Sequence, residues 1–217
     1  MLIHPFEESG ASSNLAPYTK IQDHLNSKLN TDVTHYSKIQ GWFEAHDLYD
    51  FLVDQAPYNQ TFRFIELGCW KGKSTAYLAQ KIVNSGKNIE LFAVDTFRGS
   101  DEAAHHKEPE LHRLFDIFTT NMNEWVRQGL KLTIHTGTLA SFANAVKPAH
   151  FDAVFLDGSH DYIDVKQDIQ VAKRLLKSGG WICGDDLPWE GVARAVEELV
   201  PDAETGGGKW RWWRKKI

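Results

Sequence analysis

The chain has 217 residues, 42% of them hydrophobic and 24% charged, with a formal net charge of −5. That length suits one domain, or one domain with a small addition, and no apolar run approaches the roughly 20 residues that a membrane-spanning helix requires. The acidic balance repels a phosphate backbone, so neither a nucleic-acid nor a membrane partner is expected.

The opening stretch, MLIHPFEESGASSN, has neither a basic leader nor a small-residue cleavage pattern, which makes the cytoplasm the expected location. Residues 1–61 carry two helical patterns, IQDHLNSKL and GWFEAHDLYDFLVDQA, and are expected to form an N-terminal helical cap that ends in a turn at Pro57 and Asn59. From Phe62 short apolar runs alternate with longer helical ones. The strands expected are FRFIELG (62–68), IELFAVD (89–95), LKLTIHT (130–136), FDAVFLD (151–157) and GWICGDD (180–186). Between them TAYLAQKIVNSG, LFDIFTTNMNEWVRQG, LASFANAVK and VKQDIQVAKRLLKSGG read as helices, several stopping at glycine, and GVARAVEELV reads as one more. Such alternation implies a doubly wound α/β domain over residues 62–217, its parallel sheet covered on both faces. Cys69 and Cys183 fall in separate elements and read as free thiols. The C-terminal WRWWRKK could stack on single-stranded nucleic acid, but its alternation after Gly206-Gly207-Gly208 favours a strand. TFRGSDEAAHHKEPE (96–110) is long for a connection in this fold class and is expected to be a substrate lid, with His105 and His106 read as solvated.

Acids gather where such folds bind ligands, at the carboxyl ends of strands: Glu66, Asp95, Asp157, Asp185 and Asp186. The first strand runs into ELGCWKGKST, which has only three residues between Gly68 and Gly72 where a phosphate-binding P-loop needs four, and Trp70 breaks the dinucleotide pattern. What remains is an acid, two glycines and a helix start capped by Ser74 or Thr75. That set suits a ligand with cationic groups, such as the ammonium and sulfonium of S-adenosylmethionine. Adjacent strand ends lie about 5 Å apart, so Asp157, Asp185 and Asp186 can converge, and a divalent cation is the simplest way to offset three neighbouring anions. An all-oxygen set points to Mg²⁺, with Mn²⁺ and Ca²⁺ as the other choices. His160 has the chemistry of a proton acceptor, or of a group that orients a metal ligand. Trp70 and Phe97 either flank a cofactor or pack in the core.

The pattern E-x-G-x-x-x-G-x-S, with Asp95 ending the next strand, resembles the cofactor site of class I S-adenosylmethionine-dependent methyltransferases over roughly residues 62–216. The segments D-G-S-H-x-Y and G-G-W-I-x-G-D-D are similar to the metal-dependent small-molecule O-methyltransferases, both the catechol type and the group acting on sugars and other natural products. The resemblance implies a mostly parallel seven-stranded sheet with helices on both faces and a C-terminal antiparallel hairpin. It implies cofactor contacts from Glu66, Gly68, Gly72, Ser74, Asp95, Thr96, Phe97, Gly137, Thr138 and Asp157, and Mg²⁺ ligation by Asp157, Asp185 and Asp186. His160 and Asp157 are then the catalytic pair, with His160 where catechol-type enzymes carry a lysine. The implied reaction is methyl transfer to a hydroxyl of a small molecule. The alternatives are an N-methyltransferase or a related metal oxygenase on the same fold, or a non-catalytic S-adenosylmethionine-binding protein. The residues name no acceptor, and a homo-oligomer stays open.

Overall fold

A computed structural model describes residues 35–100, 105 and 107–215. In chain order the elements are α1 (His46–Gln55), β1 (Phe62–Leu67), α2 (Lys73–Ser85), β2 (Ile89–Asp95), α3 (Leu114–Arg127), β3 (Lys131–Thr136), α4 (Leu139–Ala143), β4 (Phe151–Leu156), α5 (Tyr162–Leu175), β5 (Leu176–Gly184), α6 (Glu190–Leu199), β6 (Glu204–Gly206) and β7 (Arg211–Lys215). The strands form one sheet in the order β3-β2-β1-β4-β5-β7-β6. The first five run parallel, and β7 lies antiparallel to both β5 and β6.

Side chains alternate across a strand, so each strand supplies both faces of this covered sheet. Phe62 and Phe64 of β1, Leu91 of β2, and Ala153 and Phe155 of β4 pack on the side of α1, α2 and α3. Ile65, Leu67, Phe92, Val94, Val154 and Leu156 pack on the side of α4, α5 and α6. Glu66 has the parity of Phe62 and Phe64, which sends its carboxylate towards α1. Of the expected N-terminal helices, IQDHLNSKL lies outside the described residues, whereas the second pattern forms α1 and buries Leu48, Tyr49, Leu52 and Val53.

Two boundaries differ from expectation. The helix before β5 stops at Leu175 rather than at Gly179-Gly180, because Leu176 already pairs with Phe151 of β4. Both glycines then sit inside β5, where the register with β4 shifts and Gly179 takes φ +75°. An extra loop of strand with a left-handed residue is a bulge, which glycine permits at little steric cost. WRWWRKK forms β7, in which Trp212 is buried and Arg211, almost as covered, reaches Asp47 at 3.0 Å.

Candidate active site

Strand order reverses between β1 and β4, and the cleft of an open α/β sheet forms at that switch point. Gly68, just past β1, holds φ +87°, and a Cβ placed on it would stand 1.7 Å from the Asp157 carbonyl oxygen beyond β4. Trp70 at φ 48° and Gly72 at φ 90° complete a loop of left-handed residues that opens α2. Gly68 N donates to Val94 O at 3.0 Å, and Gly137 N to Asp95 O at 2.9 Å, which sets Gly68, Asp95 and Gly137 side by side on three strand ends. Asp95 braces the loop: Oδ2 accepts the N–H groups of Cys69 at 2.7 Å and Trp70 at 2.9 Å, and Oδ1 accepts that of Phe97 at 2.6 Å. A carboxylate oxygen accepts two bonds, so Oδ1 keeps acceptor capacity for a ligand hydroxyl. Thr96 Oγ1 accepts from Arg98 N, and Thr138 Oγ1 caps α4 through Ser141 N. The glycine backbone and the remaining acceptor of Asp95 fit a nucleoside cofactor.

Three residues expected at the cofactor, Glu66, Ser74 and Phe97, are buried around the glycine loop. Glu66 is fully buried beneath the loop and accepts the Tyr49 hydroxyl at 2.7 Å. Burial pushes its carboxyl above the usual range, while the hydroxyls of Thr75, Tyr49 and Ser74 hold it back. Its place is under α2, as the strand parity dictates, and Ser74 is largely buried with it. Phe97 is also buried, its ring 5.1 Å from Phe118 and 5.4 Å from Phe115, so the core reading of that residue holds.

At the ends of β4 and β5 the structure assembles Asp157, His160 and Asp186, with one donor atom from each lying within 4.8 Å of the others. His160 Nε2 stands 2.8 Å from Asp186 Oδ2. Burial pushes the Asp157 carboxyl well up, and the nearby charges of Asp186 and Asp185 push it further. Asp185, expected as a third ligand, stands apart from this group, its Oδ1 accepting the backbone N–H of Asp186 at 2.9 Å. Burial raises it to about 6. Crowded anions in a partly buried pocket are what a cation relieves, so two carboxylates with an imidazole fit a divalent ion. With His160 Nε2 bonded to Asp186, the two carboxylates are the part of the set that suits a hard, oxygen-seeking ion such as Mg²⁺ or Mn²⁺.

Behind this group lies a cavity of about 10 Å³, lined by Asp157, His160, Asp168, Asp185, Asp186 and Trp212. Burial, with the charge of Asp164 added, raises the Asp168 carboxyl to about 7. An acid raised on folding contributes stability that is present at low pH and lost as pH rises through its folded-state value. Asp168→Asn removes that loss, so urea midpoints measured at pH 4.5 and pH 8 should differ less in the variant than in the wild type.

The glycine loop is also tied to its surroundings. Lys71 is buried, its Nζ bonded to Gln40 Oε1 at 2.7 Å, Glu108 Oε2 at 3.0 Å and Glu110 Oε2 at 3.3 Å. Trp70 stacks on His105 with ring centroids 3.9 Å apart. Within the expected lid, residues 101–104 and His106 lie outside the described residues. His105 is not solvated as expected but is held by Trp70 and by Ser100, whose hydroxyl is 2.6 Å from Nδ1. Glu108→Ala removes the main anion facing Lys71, and limited proteolysis within residues 98–112 should then be several-fold faster. Neither Lys71 nor Tyr49 carries a signal in the sequence, since neither burial nor partners can be read from an isolated lysine or tyrosine. Trp189 is a further such residue, stacked on His160 with ring centroids 4.4 Å apart.

Comparison with known proteins bears on the family and the fold. A family model described as a methyltransferase domain matches residues 65–187. An uncharacterised protein of Sinorhizobium fredii, y4gI, is 29% identical over 151 residues, which are 70% of this chain and 14% of that protein. The chain thus spans about a seventh of the length of the curated relative it matches. Among solved structures, the O-methyltransferase NovP superposes with a TM-score of 0.57 at 14% identity, covering 79% of each chain. CalS11, a TDP-rhamnose 3'-O-methyltransferase in calicheamicin biosynthesis, gives 0.56 at 13% identity, covering 79% of this chain and 77% of that one. The O-methyltransferase TomG of Streptomyces achromogenes, solved with S-adenosylmethionine, gives 0.54 at 17% identity, covering 95% of this chain and 92% of its own. With the family model spanning the glycine loop, the β4 turn and the paired acids after β5, and with the sheet order to match, the chain belongs to the methyltransferase-domain family and has the class I fold.

Proposed function

We propose that the protein transfers a methyl group from S-adenosylmethionine to a hydroxyl of a small molecule, assisted by a divalent cation, Mg²⁺ or Mn²⁺. The observation that carries this reading is the meeting of Asp157, His160 and Asp186 beside the Gly68 loop, where the two halves of such a reaction would come together. When bound, the sulfonium cofactor supplies an electrophilic methyl group and the cation supplies a Lewis acid that makes a hydroxyl more acidic. Gly68, Asp95 and Gly137 would hold the cofactor, and Asp157 and Asp186 the cation. His160 orients the Asp186 carboxylate through Nε2, and the proton lost by the acceptor hydroxyl passes to this pair. The contact of Gly68 with the Asp157 backbone fixes the spacing between donor and acceptor, from which much of the rate of a two-substrate reaction derives. The names of NovP, CalS11 and TomG support oxygen as the methylated atom.

Calorimetry with S-adenosylmethionine, with and without Mg²⁺, tests the reading. Cofactor binding at micromolar concentrations and a separate Mg²⁺ isotherm are expected, and absence of both removes the proposal. Cofactor binding with no metal isotherm would instead favour an N-methyltransferase.

A further inference from the structure

The turn that follows β5 surrounds His160 on two sides. Asp186, at φ 60°, meets the edge of the imidazole at 2.8 Å. Three residues later Trp189, whose N–H donates to Asp186 O at 2.9 Å, lies flat against the imidazole face, with centroids 4.4 Å apart and planes 15° from parallel. The start of α6, which follows the turn, is seated directly on the histidine backbone, because a Cβ at Gly191 would stand 2.2 Å from His160 O. Trp189 remains 45% exposed, so its indole is not a core side chain that happens to touch a histidine. An exposed indole beside the cleft is kept in place by the face it covers.

We propose that Trp189 is a positioning residue, whose indole plane fixes the His160 imidazole so that Nε2 stays directed at Asp186. This rests on the reading of Asp157 and Asp186 as cation ligands. Imidazole turns readily about its last side-chain bond, where the torsional well is broad. A parallel aromatic plate restricts that rotation, since leaving the stack swings one ring edge into the indole. With the ring fixed, the hydrogen bond to Asp186 is formed before the cation arrives, and the ordering cost does not fall on ion binding. One short turn thereby supplies both a ligand and the group that orients it.

The test compares Trp189→Leu, which keeps apolar bulk but no plate, with Trp189→Phe, which keeps a flat ring. Two quantities are measured on full-length protein: Mg²⁺ affinity by calorimetry, and the imidazole proton and nitrogen shifts of His160 in metal-free protein, assigned by difference against His160→Gln. The expected result is an upfield ring-current shift in the wild type that disappears in Trp189→Leu. Mg²⁺ binding should be roughly tenfold weaker there, the scale seen when a group orienting a metal ligand is lost. Trp189→Phe should restore affinity to within about twofold, with both thermal midpoints close to wild type. Wild-type Mg²⁺ affinity in Trp189→Leu overturns the proposal, as does an equal loss in Trp189→Phe. If the wild type itself binds no Mg²⁺, the metal reading fails. The imidazole nitrogen shifts, which report whether Nε2 keeps its hydrogen bond to Asp186, then decide: unchanged nitrogen shifts in Trp189→Leu overturn the positioning role, and their movement to those of a free imidazole supports it.

Discussion

Gly68→Ala is expected to destabilise the protein by about 4 kcal/mol or more, placing it among the exceptional single substitutions. Two costs combine. An L-residue at φ +87° is strained by roughly 1–2 kcal/mol. The larger cost is steric: the new methyl would stand 1.7 Å from the Asp157 carbonyl oxygen and 2.5 Å from its carbon, and both are backbone atoms with no rotamer to change. Relief requires β1 and β4 to separate at their ends, which breaks the bond from Asp157 N to Leu67 O at 2.9 Å. Denaturant titration of the soluble fraction measures the loss. Stability within about 1 kcal/mol of wild type would show that the loop relaxes and that the close approach is not obligatory.

Asp157→Asn should abolish divalent-cation binding and turnover while cofactor affinity stays within about threefold of wild type. In chelator, the same variant should be more stable than the wild type by about 1 kcal/mol near pH 8, a gain typical of repairing a strained functional position. The sign follows from the site. Asp157 is an acid whose carboxyl is raised by burial and by the charges of Asp186 and Asp185, so ionising it at alkaline pH costs the folded state. Asparagine is nearly isosteric and carries no charge to repel its neighbours. Equal loss of cofactor and cation binding would mean instead that Asp157 holds the loop together.

The fold was legible because its signals are periodic. The near-continuous apolar strands, the helices between them and the alternation in WRWWRKK each correspond to an element of the sheet or its cover. The misread boundary at Gly179-Gly180 has a specific cause. Glycine ends helices and also makes strand bulges, and only the pairing of Leu176 with Phe151 separates the two uses. In the site, position at the strand ends brings Asp157, Asp185 and Asp186 near one another but leaves the direction of each side chain open. Asp185 and Asp186 are equivalent as sequence, yet a left-handed turn at Asp186 brings that residue to His160 and leaves Asp185 bonded to the backbone. The burial of Glu66 was legible from sequence alone, since its parity with Phe62 and Phe64 sends it towards α1. Trp189 left a weaker signal, an aromatic residue three positions after the second acid, whose meaning depends on a turn conformation that no periodicity encodes.

The buried ammonium of Lys71 bears on how such an enzyme can diversify. It joins Gln40, the glycine loop and Glu108, three stretches far apart in the chain, through a single side chain. The stretch before α1 and the loop after β2 are therefore not independent of the glycine loop here. A graft that replaces either one without a matching acceptor for Lys71 would disturb the cofactor loop as well. Chimeras should succeed when the three are transplanted as a set.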